Sequence, residues 1–452
     1  MLKGMSVPAT TLGCKVNQAE TDSMLDMLKA AGANIVEFDE KADIYIVNTC
    51  SVTNIADKKS RQMLHRARKM NPDGIVIAAG CYVQSAREIL EQDEAIDIVI
   101  SNNKKKSITE IVNDYINVRN NEKNAPGKDH EAMEYFVDIS RETEYEEMGG
   151  HVPVGHTRAY VKIQDGCNQF CSYCIIPYVR GRIRSRSQEA ILAEVSELAE
   201  AGIKEVVLTG IHISSYGKDK NNEGALIELI EAISKIKGIK RIRLGSLEPG
   251  IITEEFVERI SSNSKVCPHF HLSLQSGCDS VLKRMNRKYT CEQYFEKCDM
   301  LRKAYKSPAL TTDVIVGFPG ETEEEFAETV RYLTELNLYE MHIFKYSPRK
   351  GTVAAAMKEQ VAPEIKNERS DVLLKLAHDN KTAYEAQFEG CELEVLVEEV
   401  VKKNNKTYLR GHTERYMDIL IDVGDISMPE SFVNSFVYVT YTQNGGNLPL
   451  LL

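Results

Sequence analysis

Three cysteines within eight residues, Cys167-Asn168-Gln169-Phe170-Cys171-Ser172-Tyr173-Cys174, constrain this chain more than any other stretch. C-x3-C-x2-C spacing in a tight loop turns three thiolates onto one face, with an aromatic side chain just before the third. Three buried thiols, or a redox pair made by Cys171 and Cys174, are the plain alternatives. A structural zinc takes four ligands, and the next residues, Ile175-Ile176-Pro177-Tyr178, offer none. A 4Fe-4S cluster has four irons, so three cysteines leave one iron open to a small-molecule ligand. The loop is therefore read as the holder of such a cluster.

On either side of this loop the chain alternates between strand and helix patterns, which implies an α/β fold of parallel sheets covered by helices. In residues 1–116 strands are expected at 7–12, 43–48 and 75–79. Helices are expected at 17–31, capped by Asn17 and stopped by Gly32, and at 55–70. This reads as a doubly wound parallel-sheet domain. Cys14, Cys50 and Cys81 each follow one of these strands, 36 and 31 residues apart. The carboxyl ends of parallel strands share one edge, where ligands bind. Three separately spaced cysteines thus converge on one crevice, as ligands of a second cluster would; buried thiols are again the alternative.

Residues 117–150 carry eight acids and one base between Asp129 and Glu147, the composition of a solvated, weakly structured linker. Residues 151–388 hold six further strand patterns, at 159–163, 205–209, 241–244, 269–274, 311–316 and 341–346. They are expected to form a partial (βα)6 barrel whose loops at the strand ends build the site. The loops 209–212, 246–249, 275–277 and 317–321 join the cysteine loop there. Tyr173, Thr209, Gly210, Gln275 and Gly317 are the candidate cofactor contacts, the glycines allowing close backbone approach. His212 reads as an ordinary loop histidine. A helix at 364–388, stopped by Gly390, leads into period-two patterning at 392–401, 407–412, 418–422 and 436–442, so residues 389–452 are read as a small β-barrel.

Eleven cysteines without a secretory leader speak for a reducing compartment with metal chemistry, and the chain is read as cytoplasmic. No membrane is expected as partner, since the apolar tail at 448–452 is far shorter than the roughly 20 residues of a span. A formal charge of −11 opposes a polyanion, so any nucleic-acid role falls to local basic faces. Lys58, Lys59, Arg61, Arg66, Arg68 and Lys69 lie on the outside of a helix whose Ser60, Met63, Leu64 and Ala67 face inward. Arg180, Arg182, Arg184 and Arg186 follow the cysteine loop, and guanidinium groups both pair with phosphate and stack on bases. In the terminal barrel the bases are Lys402, Lys403, Lys406, Arg410 and Arg415, enough for one edge to face RNA.

The stretch from Cys167 to Arg186, together with Thr11-Leu12-Gly13-Cys14-Lys15-Val16-Asn17-Gln18, Asn48-Thr49-Cys50 and Gly80-Cys81, resembles the tRNA methylthiotransferases of the radical S-adenosylmethionine (SAM) superfamily. The resemblance covers nearly the whole chain and is strongest to the branch acting on N6-threonylcarbamoyladenosine. It implies that Cys167, Cys171 and Cys174 hold the radical 4Fe-4S cluster, and that Cys14, Cys50 and Cys81 hold an auxiliary 4Fe-4S cluster in a methylthiotransferase domain. It also implies a terminal TRAM RNA-binding barrel, although 423–434 departs from the usual pattern there. The implied reaction adds a methylthio group to carbon 2 of the modified adenosine beside the anticodon. Two SAM molecules are used per turnover, one as methyl donor and one as radical source. The implied partners are the tRNA and a low-potential electron donor such as flavodoxin or ferredoxin. Sister activities on isopentenyladenosine tRNA or a ribosomal-protein aspartate would share both clusters. A non-catalytic iron–sulfur RNA-binding regulator is the reading from another class.

Overall fold

The computed structural model describes residues 2–122, 133–149, 157–404, 406–424, 428–443 and 445–447. The expected first strand is divided at Pro8, which has no N–H to give to a ladder. Ser6–Val7 pairs in parallel with Asn34–Ile35, whereas Ala9–Thr11 pairs with Ile44–Thr49. The first crossover therefore leaves in one direction and the next in the other, so a topological switch point lies beside the strand that precedes Cys14. From there Ile75–Gly80, Ile98–Ile100 and Met133–Tyr135 extend the parallel sheet in chain order. Side chains alternate between its faces. Ile44, Ile46, Ile75 and Ile77 meet Met24, Leu28 and Ile111 on one face, and Tyr45, Val47, Val76 and Ala78 meet Leu64, Ala67 and Leu90 on the other. Helices on both faces are what the doubly wound expectation requires.

Two local expectations differ from the structure. The first helix, Lys15–Ala30, starts directly after Cys14, and Asn17 is not its cap. Asn17 is buried, and its amide donates to Leu12 O at 2.8 Å and Thr49 O at 2.9 Å, tying together the ends of two strands. The acidic stretch expected to be a solvated linker is structured from Met133 to Gly149. It supplies the fifth strand, and its acids meet cations of the following domain: Glu147 lies 2.5 Å from Arg186, and the Tyr145 hydroxyl donates to Lys162 O at 3.1 Å. Residues 123–132 lie outside the described residues.

Next, Arg158–Asp165, Glu205–Gly210 and Arg241–Leu244 form one parallel sheet, and His269–His271, Ala309–Val316 and Glu340–Lys345 form another. Single bridges, Ile242 to Val266 and Leu247 to Leu272, join the two in chain order. The fourth strand is shorter than expected because pairing past His271 breaks into such bridges. One continuous apolar core, including Val161, Ile191, Leu208, Ile230, Phe270, Val314 and Leu333, lies between strands and helices. After the helix Pro363–Ala386, strands Glu392–Lys403, Lys406–Thr413, Asp418–Asp422, Phe436–Thr442 and Gly445–Asn447 close a small barrel. The last strand was not expected from the pattern. A bulge between Val397 and Glu399 turns Glu398 outward to Arg158, 3.2 Å away, fastening the barrel to the central sheet. Among the described residues no helix is long and apolar enough to cross a membrane. Residues 425–427 and the 448–452 tail lie outside the described residues.

Candidate active site between two cysteine sets

The cysteine loop leaves the strand Arg158–Asp165 through Gly166, where φ is +72° and a Cβ would sit 1.8 Å from Arg182 O, so only glycine fits. The loop is held by backbone bonds from Cys167 N to Gly181 O and from Ser172 N to Met285 O, both 3.0 Å. Donors are aimed at its sulfurs. Gln169 N lies 3.4 Å from Cys167 Sγ, and Arg287 Nη1 donates to Cys171 Sγ at 3.2 Å while its Nη2 pairs with Glu248 at 2.7 Å. Burial pushes the free thiols of Cys167 and Cys174 up to about 11 and about 12. His212 also belongs here, its Nε2 lying 3.5 Å from the Gln169 amide and 3.8 Å from Glu248. Glu248 lies in the strand-end loop 246–249 expected at the site, whereas Arg287 carries no local motif that marks it in the sequence.

The second set gathers at the carboxyl edge of the first sheet, as the strand spacing predicts. A Cβ on Gly13 would meet Cys50 Sγ at 2.7 Å, so the loop of Cys14 lies directly against Cys50. Cys50 and Cys81 are buried and Cys14 faces outward. Burial raises the Cys50 thiol to about 11, and the nearby Cys81 and Cys14 add to that rise. In neither set do all three sulfurs lie within 4.8 Å of one another. Zn–S bonds of about 2.3 Å would put sulfurs about 3.8 Å apart around one ion, so neither set is drawn together as closely as a single zinc requires.

Arg180 joins the two sets. It lies six residues beyond Cys174 and is fully buried, and its Nε donates to Cys81 Sγ at 3.2 Å. Its other nitrogens bond Glu20, Asp165 at 3.2 Å and Asn17 at 2.5 Å. Lys162 lies 2.7 Å from both Glu20 and Asp165, and Lys105 pairs with Glu20. Burial opposes the charge on Glu20, but Arg180, Lys105 and Lys162 outweigh it and hold the carboxyl well below its usual range. Four buried cations, Lys105, Lys162, Arg180 and Arg184, face three carboxylates, Glu20, Glu146 and Asp165.

A cavity of about 260 Å³ opens beside the cysteine loop. Tyr173, Cys174, Gln275 and Asp313 line one wall; Val52 and Thr53, just past Cys50, line the other. Gln275 is held at φ +76° by Gln275 N to Asp313 O and Ile315 N to Gln275 O, both 2.9 Å, a strained conformation of the kind found at ligand sites. Thr209 and Gly210 end their strand at a bulge, away from this lining. Gly317, at φ +69°, makes room for a different neighbour: a Cβ there would meet Lys366 Cγ at 2.3 Å. Arg349, unmarked in the sequence, fastens the two walls through Ser51 at 2.8 Å, Asn54 at 2.7 Å and Asp57 at 2.6 Å.

The basic residues divide into two groups. Arg180, Arg184 and Arg186 are buried, correcting the expectation that they meet RNA: each is engaged by carboxylates or carbonyls of the interior, Arg184 by Arg180 O at 2.9 Å and Arg186 by Glu147 and Glu194. Arg182 is exposed, its guanidinium 4.5 Å from the Phe170 ring. On the helix Asn54–Met70, Ser60, Leu64 and Ala67 are buried as expected, and Lys58, Lys59, Arg61, Arg66 and Lys69 are exposed. Arg68 turns back to Asp97, Pro72 O and Gly74 O, a structural role. This helix begins at Asn54, directly beside the cavity wall.

Residues 161–333 match the Radical SAM superfamily and residues 6–101 match the Uncharacterized protein family UPF0004. The chain is similar to the threonylcarbamoyladenosine tRNA methylthiotransferase MtaB of Bacillus subtilis, 40% identical over 91% of this chain and 89% of that one. The Aquifex aeolicus protein of the same name is 37% identical over 92% and 98%. The tRNA-2-methylthio-N(6)-dimethylallyladenosine synthase of Thermoanaerobacter pseudethanolicus is 35% identical over 96% and 90%. Among solved structures, the radical S-adenosylmethionine methyltransferase TsrM of Kitasatospora setae superposes with a TM-score of 0.56 at 15% identity, covering 75% of this chain and 73% of that one, a likeness of fold. With its cysteine loop, its paired sheets and these relatives along nearly its full length, the chain belongs to the radical SAM tRNA methylthiotransferases.

Proposed function

We propose that this enzyme installs a methylthio group at carbon 2 of N6-threonylcarbamoyladenosine in tRNA, giving the 2-methylthio derivative. The observation that supports the reading is the cavity lined by Cys174 of the first set and by Val52 and Thr53, which follow Cys50 of the second in the chain. Carbon 2 of adenine bears a hydrogen without useful acidity, which takes the reaction outside what a side-chain base can do. Cys167, Cys171 and Cys174 would hold one 4Fe-4S cluster and Cys14, Cys50 and Cys81 a second. When bound, these groups supply reductive cleavage of SAM and an iron that carries sulfur. A low-potential electron donor is therefore required, in a reducing compartment such as the cytoplasm.

The protein's own residues bind, orient and shield. Arg287 donates to Cys171 Sγ and is anchored by Glu248, and Arg180 does the same for Cys81. Tyr173 and Gln275 are the cofactor contacts that the cavity favours, with Thr209 and Gly210 farther along the strand ends. Val52 and Phe344 line the cavity and remain about half exposed, an apolar rim on which an unstacked base can rest. Lys58, Lys59 and Arg61, on the helix leading from that rim, suit the phosphates that follow. The terminal barrel acts as a TRAM domain through Lys402 and Lys403 at its exposed hairpin end.

The deciding experiment is mass spectrometry of tRNA nucleosides from a strain lacking the gene. Loss of 2-methylthio-N6-threonylcarbamoyladenosine, accumulation of its precursor and rescue by the wild-type chain are expected. Loss of the methylthio isopentenyl nucleoside instead would assign the sister activity.

A further inference from the structure

Below the cysteine loop, the strands His269–His271, Ala309–Val316 and Glu340–Lys345 set His271, Asp313 and His342 side by side. We propose that these three residues form a binding site for one divalent transition-metal ion, separate from both cysteine sets. Asp313 and His342 are direct partners on neighbouring strands, and His271 pairs with Thr311, whose side chain shares the face of Asp313. One ligating atom from each of the three lies within 4.8 Å of the others, an arrangement shared by no other three His, Cys, Asp or Glu residues among the described ones. Bonds of about 2.0 to 2.2 Å from imidazole and carboxylate to zinc put donors about 3.4 Å apart around a tetrahedral ion, and His271 Nε2 and Asp313 Oδ2 are 3.4 Å apart.

The orientation of the rings supports a metal over a hydrogen-bonded cluster. His271 Nδ1 lies 2.9 Å from Thr311 Oγ1, which fixes the ring and directs Nε2 inward, as outer hydrogen bonds do for metal-binding histidines. That Nε2 is buried, lies 3.4 Å from Asp313 Oδ2 and has no hydrogen-bond partner among the described residues. A buried ring nitrogen left unpaired beside a carboxylate costs free energy unless a further group is bound between them. The His342 ring stacks on His271 with centroids 5.7 Å apart, bringing a second imidazole to the same point. Two imidazoles and one carboxylate suit zinc, iron(II), cobalt(II) or manganese(II) and leave coordination positions open. Asp313 also lines the cavity that holds Cys174 and Gln275, so the ion would lie beside that space.

The test uses the full chain with its iron–sulfur clusters reconstituted, dialysed to equilibrium against micromolar zinc, with zinc and iron counted by mass spectrometry. One zinc per chain beyond the cluster iron is expected for the wild type. Asp313→Asn and His342→Gln should each weaken zinc binding about tenfold or more, with Thr311→Val giving a smaller loss. His65→Ala, at an exposed surface pair, should leave zinc binding unchanged. His342 is exposed on its strand, so its replacement keeps the test alive if Asp313→Asn fails to fold. Absence of bound zinc in the wild type, or full retention by both variants at unchanged iron content, overturns the proposal.

Discussion

At the scale of single residues, the cysteines and the guanidinium groups beside them make the sharpest claims. Cys171→Ala should abolish SAM cleavage and leave about half the iron of the reconstituted wild type, since the two sets sit on separate sheets. Cys50→Ala should still cleave SAM to 5′-deoxyadenosine yet form no methylthio product. Normal product formation by that variant would return Cys14, Cys50 and Cys81 to ordinary buried thiols. Arg180→Met removes the only charged donor to Cys81 Sγ among the described residues and leaves Glu20 and Asp165 short of a partner. Breaking a buried pair of this kind costs roughly 3–5 kcal/mol. Hydrogen bonds to cluster sulfurs help set reduction potentials, and losing a cationic donor disfavours the more negative reduced state. Redox titration followed by electron paramagnetic resonance should therefore show a lower potential for the cluster at Cys81, with that at Cys171 unmoved.

Among elements, the helix Asn54–Met70 carries the case for RNA. Its inward face was legible from Ser60, Leu64 and Ala67 at helical spacing, and its outward cations from their number. What spacing did not reveal is that Arg68 belongs to the fold, because Asp97 reaches it from the bend before the strand Ile98–Ile100, 29 residues along the chain. Replacing Lys58, Lys59 and Arg61 by Gln, with Arg68 left intact, should weaken tRNA binding and flatten its dependence on log salt by roughly 0.7 to 0.9 for each phosphate no longer neutralised. Cleavage of SAM without tRNA should be unchanged. An unaltered slope would make this a merely solvated face and assign phosphate binding to Arg182 and the terminal barrel.

For the whole molecule, acid stability depends on where the terminal barrel meets the central sheets. His269 is half-buried at that junction, its ring 5.3 Å from Tyr416, and its Nδ1 is buried without a hydrogen-bond partner among the described residues. Burial, with Arg243 and neighbouring histidines adding to it, holds its pKa well below the ordinary value. The native state therefore keeps it neutral while the unfolded chain binds a proton below about pH 6.5. Stability that is full above that pH is lost as pH falls through it, by at most about 1.4 kcal/mol per pH unit for one group. Thermal midpoints should drop between about pH 7.5 and 5.5, and His269→Asn should make that drop shallower. An identical slope in the variant would place the proton uptake elsewhere.

What the chain alone dictates is local. Period-two runs mark the strands, helical spacing marks their covers, and cysteines at strand ends were enough to bring Cys14, Cys50 and Cys81 to one edge. Which charges face water was settled by tertiary contacts instead. Arg180 bonds Glu20 from 160 residues away, and that partnership turns a basic tract, legible in sequence as an RNA surface, into an interior brace. The same holds for His271, Asp313 and His342, which three strands bring together although no spacing along the chain announces them. A side chain's type fixes the chemistry it can perform, but its partner, and hence its charge state and exposure, is set by strand order and by the packing of one domain on another.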